Sequence, residues 1–217
     1  DRVHVINGNE WQLLLLADGM GGYGNGNLAA ELAIHLIEEN FSKSANDAIE
    51  KINDIFAEAN DLIDEKVSGA GTTIGGVLVR GKSLNIFWAG DVRIYIKELG
   101  GLNTQYVTKD HTLAQLMKDS NVVINPSEIN RLRNTVTRAL GGNSSTVLPD
   151  AVSLNLLANF KGLICSDGIH GLFSDSELFE LLSDDKNLAI LDTLQDRVDI
   201  KGKDNASAIV FSIMTSN

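Results

Sequence analysis

The chain has 217 residues, 43% apolar and 22% charged, with 18 Lys plus Arg against 29 Asp plus Glu for a formal charge of −11. That length suits one well-buried domain, 1–217, and the composition excludes disorder and fibrous architectures; the acidity repels phosphate backbones and so disfavours nucleic acid. The longest unbroken apolar run, residues 13–17, is far short of the ~20 residues a membrane-spanning helix needs, so a soluble chain with no membrane partner is expected.

Residues 11–17 form an apolar run closed by Asp18-Gly19-Met20-Gly21-Gly22, which predicts a buried strand ending at Asp18 in a glycine-rich loop. A helix follows, with Leu28, Ala29, Leu32, Ala33, Leu36 and Ile37 at helical spacing and Asn27 as its cap. Residues 45–67 predict one longer helix, its stripe made by Ile49, Ile52, Ile55, Phe56, Ala59, Leu62 and Ile63. The two helices could pack antiparallel on a sheet. From Thr72 the period changes to that of strands: 73–79, 84–89, 93–98 and 104–108, joined by tight turns at 80–83 and Gly100-Gly101, read as an antiparallel meander. Residues 111–133 predict short polar helices around Asn125-Pro126, residues 163–166 a buried strand, Ser174 the cap of a helix through Leu182, and residues 206–214 a closing strand.

Some motifs are set aside on context. Residues 76–83 (GVLVRGKS) match the phosphate-loop pattern G-x-x-x-x-G-K-S, but they lie on a β-branched strand feeding a hairpin where a loop leading into a helix is required. Residues 24–29 fit G-x-G-x-x-A, yet a second helix follows where a dinucleotide fold places a strand. The single cysteine, Cys165, lacks the Arg of a cysteine-phosphatase loop and reads as a small core residue; it allows no internal disulfide, which fits a reducing compartment. No G-x-S-x-G elbow occurs, and His4, His35, His111 and His170 form no zinc-type pair; His35 is expected on a helix flank and His111 in a loop.

Asp18, Asp91 and Asp167 each end an apolar run beside a glycine, and Asp204 begins the last strand. Side chains at strand ends are held by the sheet, while adjacent glycines leave room for ions and expose carbonyls. Crowded carboxylates repel unless protonated or neutralised, and an all-oxygen donor set favours Mg²⁺ or Mn²⁺. Spacing alone leaves a second account equally open, in which each Asp stabilises its own turn.

Taken in order, the segments LLLLADGMGG, GTTIGGVLV, FWAGDVRIY, VTKDHTLAQL, RNTVTRALGG, LICSDGIHGLF and KDNASAIVF resemble the motifs of the metal-dependent protein serine/threonine phosphatases of type 2C, across nearly the whole chain. The Asp-Gly-Met-Gly-Gly form is similar to the compact bacterial-type members. The resemblance implies an α+β fold, an antiparallel β-sandwich flanked by pairs of antiparallel helices, with residues 110–134 as the variable flap. It implies that Asp18 bridges two Mn²⁺ or Mg²⁺ ions, that the Gly19 carbonyl completes the first, that Asp167 and Asp204 bind the second, and that Asp91 shares a weaker third ion with Asp167. Asp1 and Asn205 would contact the metals through water. The implied activity is hydrolysis of phosphoserine and phosphothreonine in proteins by in-line attack of a hydroxide bridging two ions, without a phosphoenzyme. The implied partners are phosphorylated proteins and a cognate Ser/Thr kinase system, in the cytoplasm. On this reading the family's phosphate-binding Arg falls about five residues upstream of Asp1, in an N-terminal segment the sequence does not include, so weak substrate binding is expected. Two departures stand out: Met20 where many animal members have His, and Val92 where the family usually has Ser. His170 is a weak candidate for the general acid. The alternatives are a non-catalytic binding or regulatory module and a nucleotide site at Gly81-Lys82-Ser83.

Overall fold

The computed structural model describes residues 1–21, 25–81, 83–99, 104–142, 147–155 and 158–213. Strand β1 (Arg2–Asn7) pairs antiparallel with β2 (Gln12–Met20), which holds the apolar run. Successive strand residues leave opposite faces of a sheet. Leu13, Leu15 and Ala17 accordingly meet a helical layer, while Leu14 and Leu16 meet a second sheet. The helical layer is α1 (Asn25–Lys43), α2 (Ala45–Glu50) and α3 (Ile52–Lys66). Then come β3 (Gly71–Arg80), β4 (Ser83–Ala89), β5 (Arg93–Leu99) and β6 (Gln105–Val107), the short helices α4 (Leu113–Asp119) and α5 (Ile129–Arg133), and β7 (Leu140–Gly141). The chain continues through β8 (Asp150–Asn155), β9 (Asn159–Cys165), α6 (Asp167–His170), α7 (Asp175–Leu181), α8 (Asn187–Lys201) and β10 (Ala208–Ile213).

One sheet runs in the order β1-β2-β3-β4-β8 with β7 added to β3, and the other in the order β10-β9-β5-β6. Apolar clusters fill three interfaces: α1–α3 on the first sheet, the two sheets on each other, and the second sheet on α6–α8. Helix, sheet, sheet and helix layers therefore stack as expected for the antiparallel sandwich.

Several expectations are corrected. The helix over 45–67 is two helices that meet at Lys51 (φ −100°, ψ 19°). Ala45, Ala48, Ile52, Ile55, Phe56, Ala59 and Ile63 stay on the buried side through the break, so periodicity passes over it unmarked. The four-strand meander is two hairpins in different sheets. Strands β4 and β5 face each other across the sandwich, with Leu84, Ile86 and Trp88 opposed to Val92, Ile94 and Ile96 in one cluster. The same alternation serves side-by-side pairing, so the pattern could not separate the two. Strand β2 runs past Asp18 to Met20, because residues 18–20 pair with Gly71, Thr72 and Thr73 of β3. Helix α1 begins at Asn25, before the expected cap Asn27. Residues 76–80 are strand, with Arg80 paired to Ser83 across a tight turn, which removes the phosphate-loop reading. Gly22, Gly24, Lys82, the Gly100-Gly101 turn and Met214 fall outside the described residues.

Ser174 caps α7 as expected, its side chain accepting from Glu177 N while Glu177 bonds back to the cap's backbone. Replacing Ser174 by Ala should cost about 1 kcal/mol, read as a lowered urea midpoint with an unchanged m-value.

Candidate metal centre

Asp18 shares the inter-sheet face of β2 with Leu14 and Leu16, at the end where the apolar layer stops. It stands opposite Thr73 of β3, and the Thr72 hydroxyl donates to its backbone carbonyl at 2.9 Å. Close backbone packing surrounds it: a Cβ on Gly19 would lie 2.0 Å from Gly26 O of α1. Asp91 follows Gly90 at the crossover from β4 to β5. Gly90 has φ +104°, and a Cβ there would lie 2.3 Å from Thr73 Cβ. Only glycine fits both constraints, and the fit brings the Asp91 turn against the strand beside Asp18.

Asp167 is the first residue of α6, directly after β9. Ser166, fully buried, donates to Asp1 Oδ2 at 3.0 Å, accepts from Ser207 N at 3.1 Å and donates its own N–H to Ser207 O at 3.1 Å. These bonds tie β9, the approach to β10 and Asp1 together beside Asp167. The Asp204-Asn205 loop presses on α6, since a Cβ on Gly168 would lie 2.0 Å from Asn205 O. Asp204 thus sits in the loop ahead of β10 rather than in the strand, and its carboxylate accepts from Asn205 N at 2.8 Å.

Electrostatics show the convergence. Burial pushes the Asp18 carboxyl up to about 7, reinforced by Asp167, Asp91 and Asp204 and opposed by the Asp1 amino group. Asp91 is also pushed up to about 7, first by burial and then by Asp167 and Asp110. Asp167 is raised by burial and then by Asp204. Four carboxylates from both sheets therefore feel one another's charge.

The donor set is all oxygen, and the buried Thr73 Oγ1 between Asp18 and the Gly90 turn has no hydrogen-bond partner. Both observations fit hard divalent cations. Among the described residues, no three Asp, Glu, His or Cys side chains form a ready cage around one ion. Gly19 lies within β2 next to Asp18, and Asp1 and Asn205 both border Asp167 and its helix.

The remaining histidines divide clearly. His35 is exposed on α1, as expected. His170 has Nε2 2.9 Å from the Asp91 carbonyl, and burial lowers its pKa to about 4. A carbonyl only accepts, so the neutral ring holds its proton on Nε2, committed to that bond rather than to a leaving group. His111 lies in a loop, as expected, but is buried, 9% exposed. Its ring Nδ1 accepts from Gly90 N at 3.0 Å, and its backbone N–H donates to Gly90 O at 2.8 Å. Arg93 is paired with Asp110 through two 2.7 Å bonds and with Asp175 at 3.0 Å. Nothing in the local pattern around Asp110-His111 signals that it folds back 21 residues to Gly90.

The family model for protein phosphatase 2C matches residues 1–197. The chain belongs to the protein phosphatase 2C family. It is 33% identical over 183 residues to the serine/threonine protein phosphatase PstP of Mycobacterium tuberculosis, covering 79% of this chain and 34% of that protein. It is 26% identical over 196 residues to the protein phosphatase PhpP of Streptococcus pneumoniae, covering 86% and 78%. The chain thus spans about a third of the length of the mycobacterial relative. Its fold matches the catalytic domain of serine threonine protein phosphatase PstP in complex with two manganese ions, at TM-score 0.76 and 26% identity over 97% of this chain and 90% of that one. The order of strands in the two sheets explains why acids so far apart in sequence feel one another's charge: they lie at the ends or crossovers of β2, β4, β9 and β10.

Proposed function

We propose that the chain hydrolyses phosphoserine and phosphothreonine in proteins with two divalent cations, Mn²⁺ or Mg²⁺, and a third more weakly held. The observation that carries this reading is the crowding of Asp18, Asp91, Asp167 and Asp204, with Asp18 and Asp91 pushed to about 7 in the absence of cations. Family membership supports it, as does the two-manganese complex of the PstP catalytic domain.

Cations bound there would lower the pKa of water and offset charge on the phosphoryl oxygens. As the sequence reading implies, Asp18 and the Gly19 carbonyl would hold the first cation, Asp18 with Asp167 and Asp204 the second, and Asp91 with Asp167 the third, while Asp1 and Asn205 would support them through water. Thr72 fixes the Asp18 backbone, and Ser166 orients Asp1 beside Asp167. Rigid support from both sheets holds the acids in place before substrate arrives, which is how electrostatic sites avoid reorganisation during reaction.

The substrates are phosphorylated proteins, opposed by a cognate Ser/Thr kinase, and the compartment is the cytoplasm of a bacterial-type system. Among the described residues no helix is long and apolar enough to cross a membrane. No observation favours the non-catalytic alternative. The test is turnover of a phosphothreonine peptide with Mn²⁺ against EDTA, on the 217-residue chain and on one extended upstream of Asp1 to supply the expected arginine. Mn²⁺-dependent release of phosphate is expected. No release above the EDTA control in either chain overturns the catalytic reading.

A further inference from the structure

The Gly90-Asp91 turn stands in an unfavourable place. Gly90 is held at φ +104°, Asp91 is only 7% exposed, and its carboxylate is repelled by Asp167 and Asp110. A hydrogen bond from its own backbone N–H and the charge of Arg93 only partly offset that repulsion. Val92 is apolar and buried in the inter-sheet core, and Arg93 is committed to Asp110, Asp175 and Tyr95. The remaining backbone groups of Gly90 and Asp91 are satisfied from outside the turn. Gly90 N and Gly90 O bond to His111, and Asp91 O to His170.

We propose that His111 and His170 are positioning residues that clamp the Gly90-Asp91 turn from two sides and hold the Asp91 carboxylate at the site against the repulsion of Asp167. The proposal rests on the metal reading of the site and goes beyond it by assigning two residues that touch no substrate or ion.

Each clamp is itself anchored. Trp88 stacks on the His111 ring at 5.9 Å and 8°, and Trp88 Nε1 donates to Lys109 O at 2.8 Å. Because His111 Nδ1 accepts from Gly90, its proton is on Nε2, which lies 3.3 Å from Asp150 Oδ2 without making a hydrogen bond, so the ring is held by the Trp88 stack and by Gly90. His170 lies three residues after Asp167 in the same four-residue helix. One short rigid element therefore carries a proposed ligand at its first position and, at its last, the bond that fixes the backbone of the other. The distance between Asp91 and Asp167, the pair proposed to share the third ion, is set by His170.

The test is Mn²⁺ titration followed by electron paramagnetic resonance of free Mn²⁺, which reads binding without turnover. His170→Met removes the donor at similar volume, and His170→Gln can present a side-chain N–H to the Asp91 carbonyl. His170→Met should weaken the weakest-held Mn²⁺ by about 10-fold or more, the range found for groups that orient metal ligands, and leave tighter sites within about twofold. His170→Gln should restore binding to within about threefold of wild type. Should His170→Met lose its native circular dichroism, the pair His111→Leu and His111→Asn decides in the same way, since Asn can accept from Gly90 N and Leu cannot. Wild-type affinity in the non-bonding variant, or no rescue by the bonding one, overturns the clamp. If wild type binds no Mn²⁺ the metal reading falls and the clamp with it; wild-type binding matched by His170→Met removes the clamp alone.

Discussion

Asp18→Asn should lower Mn²⁺-dependent phosphatase activity by about 10²–10³-fold or more while raising the melting temperature of the metal-free protein. The opposite signs come from one cause. Asp18 is raised to about 7 by burial and by three neighbouring carboxylates, so its ionised form opposes the metal-free fold. An amide of the same shape removes that repulsion. It also removes the charge proposed to bridge two cations, and an amide oxygen is a poorer ligand for a hard ion. Activity on a phosphothreonine peptide and scanning calorimetry in EDTA measure the two halves. Activity near wild type sinks the ligand assignment, whereas lost activity with an unchanged or lower melting temperature removes the electrostatic explanation.

In EDTA the wild-type protein should lose stability as pH rises from about 4 to about 7 and then level off. The sign follows from linkage. Asp18 and Asp91 have folded-state values near 7 against 3.8 for a free carboxyl, so between these values the folded chain holds protons that the unfolded chain has released. Raising the pH through that window takes them away and favours unfolding. Other carboxylates pull the opposite way: Glu177 is depressed to about 2 by Arg197, and Asp150 is lowered by Arg138 and His111 against its own burial. Their window lies below pH 4.5, so the two effects separate. A fall of at least about 4 °C is expected between pH 5 and pH 8, the shift that ~1–2 kcal/mol produces in a chain of this size. Saturating Mn²⁺ at pH 8 should recover it, because a ligand that binds only the folded state stabilises it by mass action. A melting temperature that climbs across the window, or that ignores Mn²⁺, contradicts the site as described.

The elements legible in the sequence were those whose signal is local. The Ser174 cap, the helical stripe of α1 and the β3–β4 hairpin each depend on residues within a few positions of one another. Helix α8 was missed because Leu188 and Ile200 are 74% and 79% exposed, which blurs its apolar face. The edge strands β1 and β8 were missed because their alternation, half exposed on one side, is short and weak. At the site, Asp18, Asp91 and Asp167 are marked by the glycines beside them, and Asp204 by its place ahead of the last strand. The order of their motifs, rather than any spacing rule, joined them into one centre. The sequence does not mark Thr73 or His111 as part of the site, since what distinguishes them is a partner across a sheet or 21 residues away.

The crossover at Gly90 takes the chain from one sheet to the other, and the acids follow that division. Asp18 hangs from the first sheet, Asp167 and Asp204 from the second, and Asp91 from the seam between. Cations bound among them would work as a clasp on that end of the sandwich, adding to the side-chain packing between its two leaves. The spacing of the leaves then becomes a variable of the chemistry. A methyl group lost from Val92 or Ile164, which fill the layer behind the acids, could loosen the hinge and reach the site without touching it.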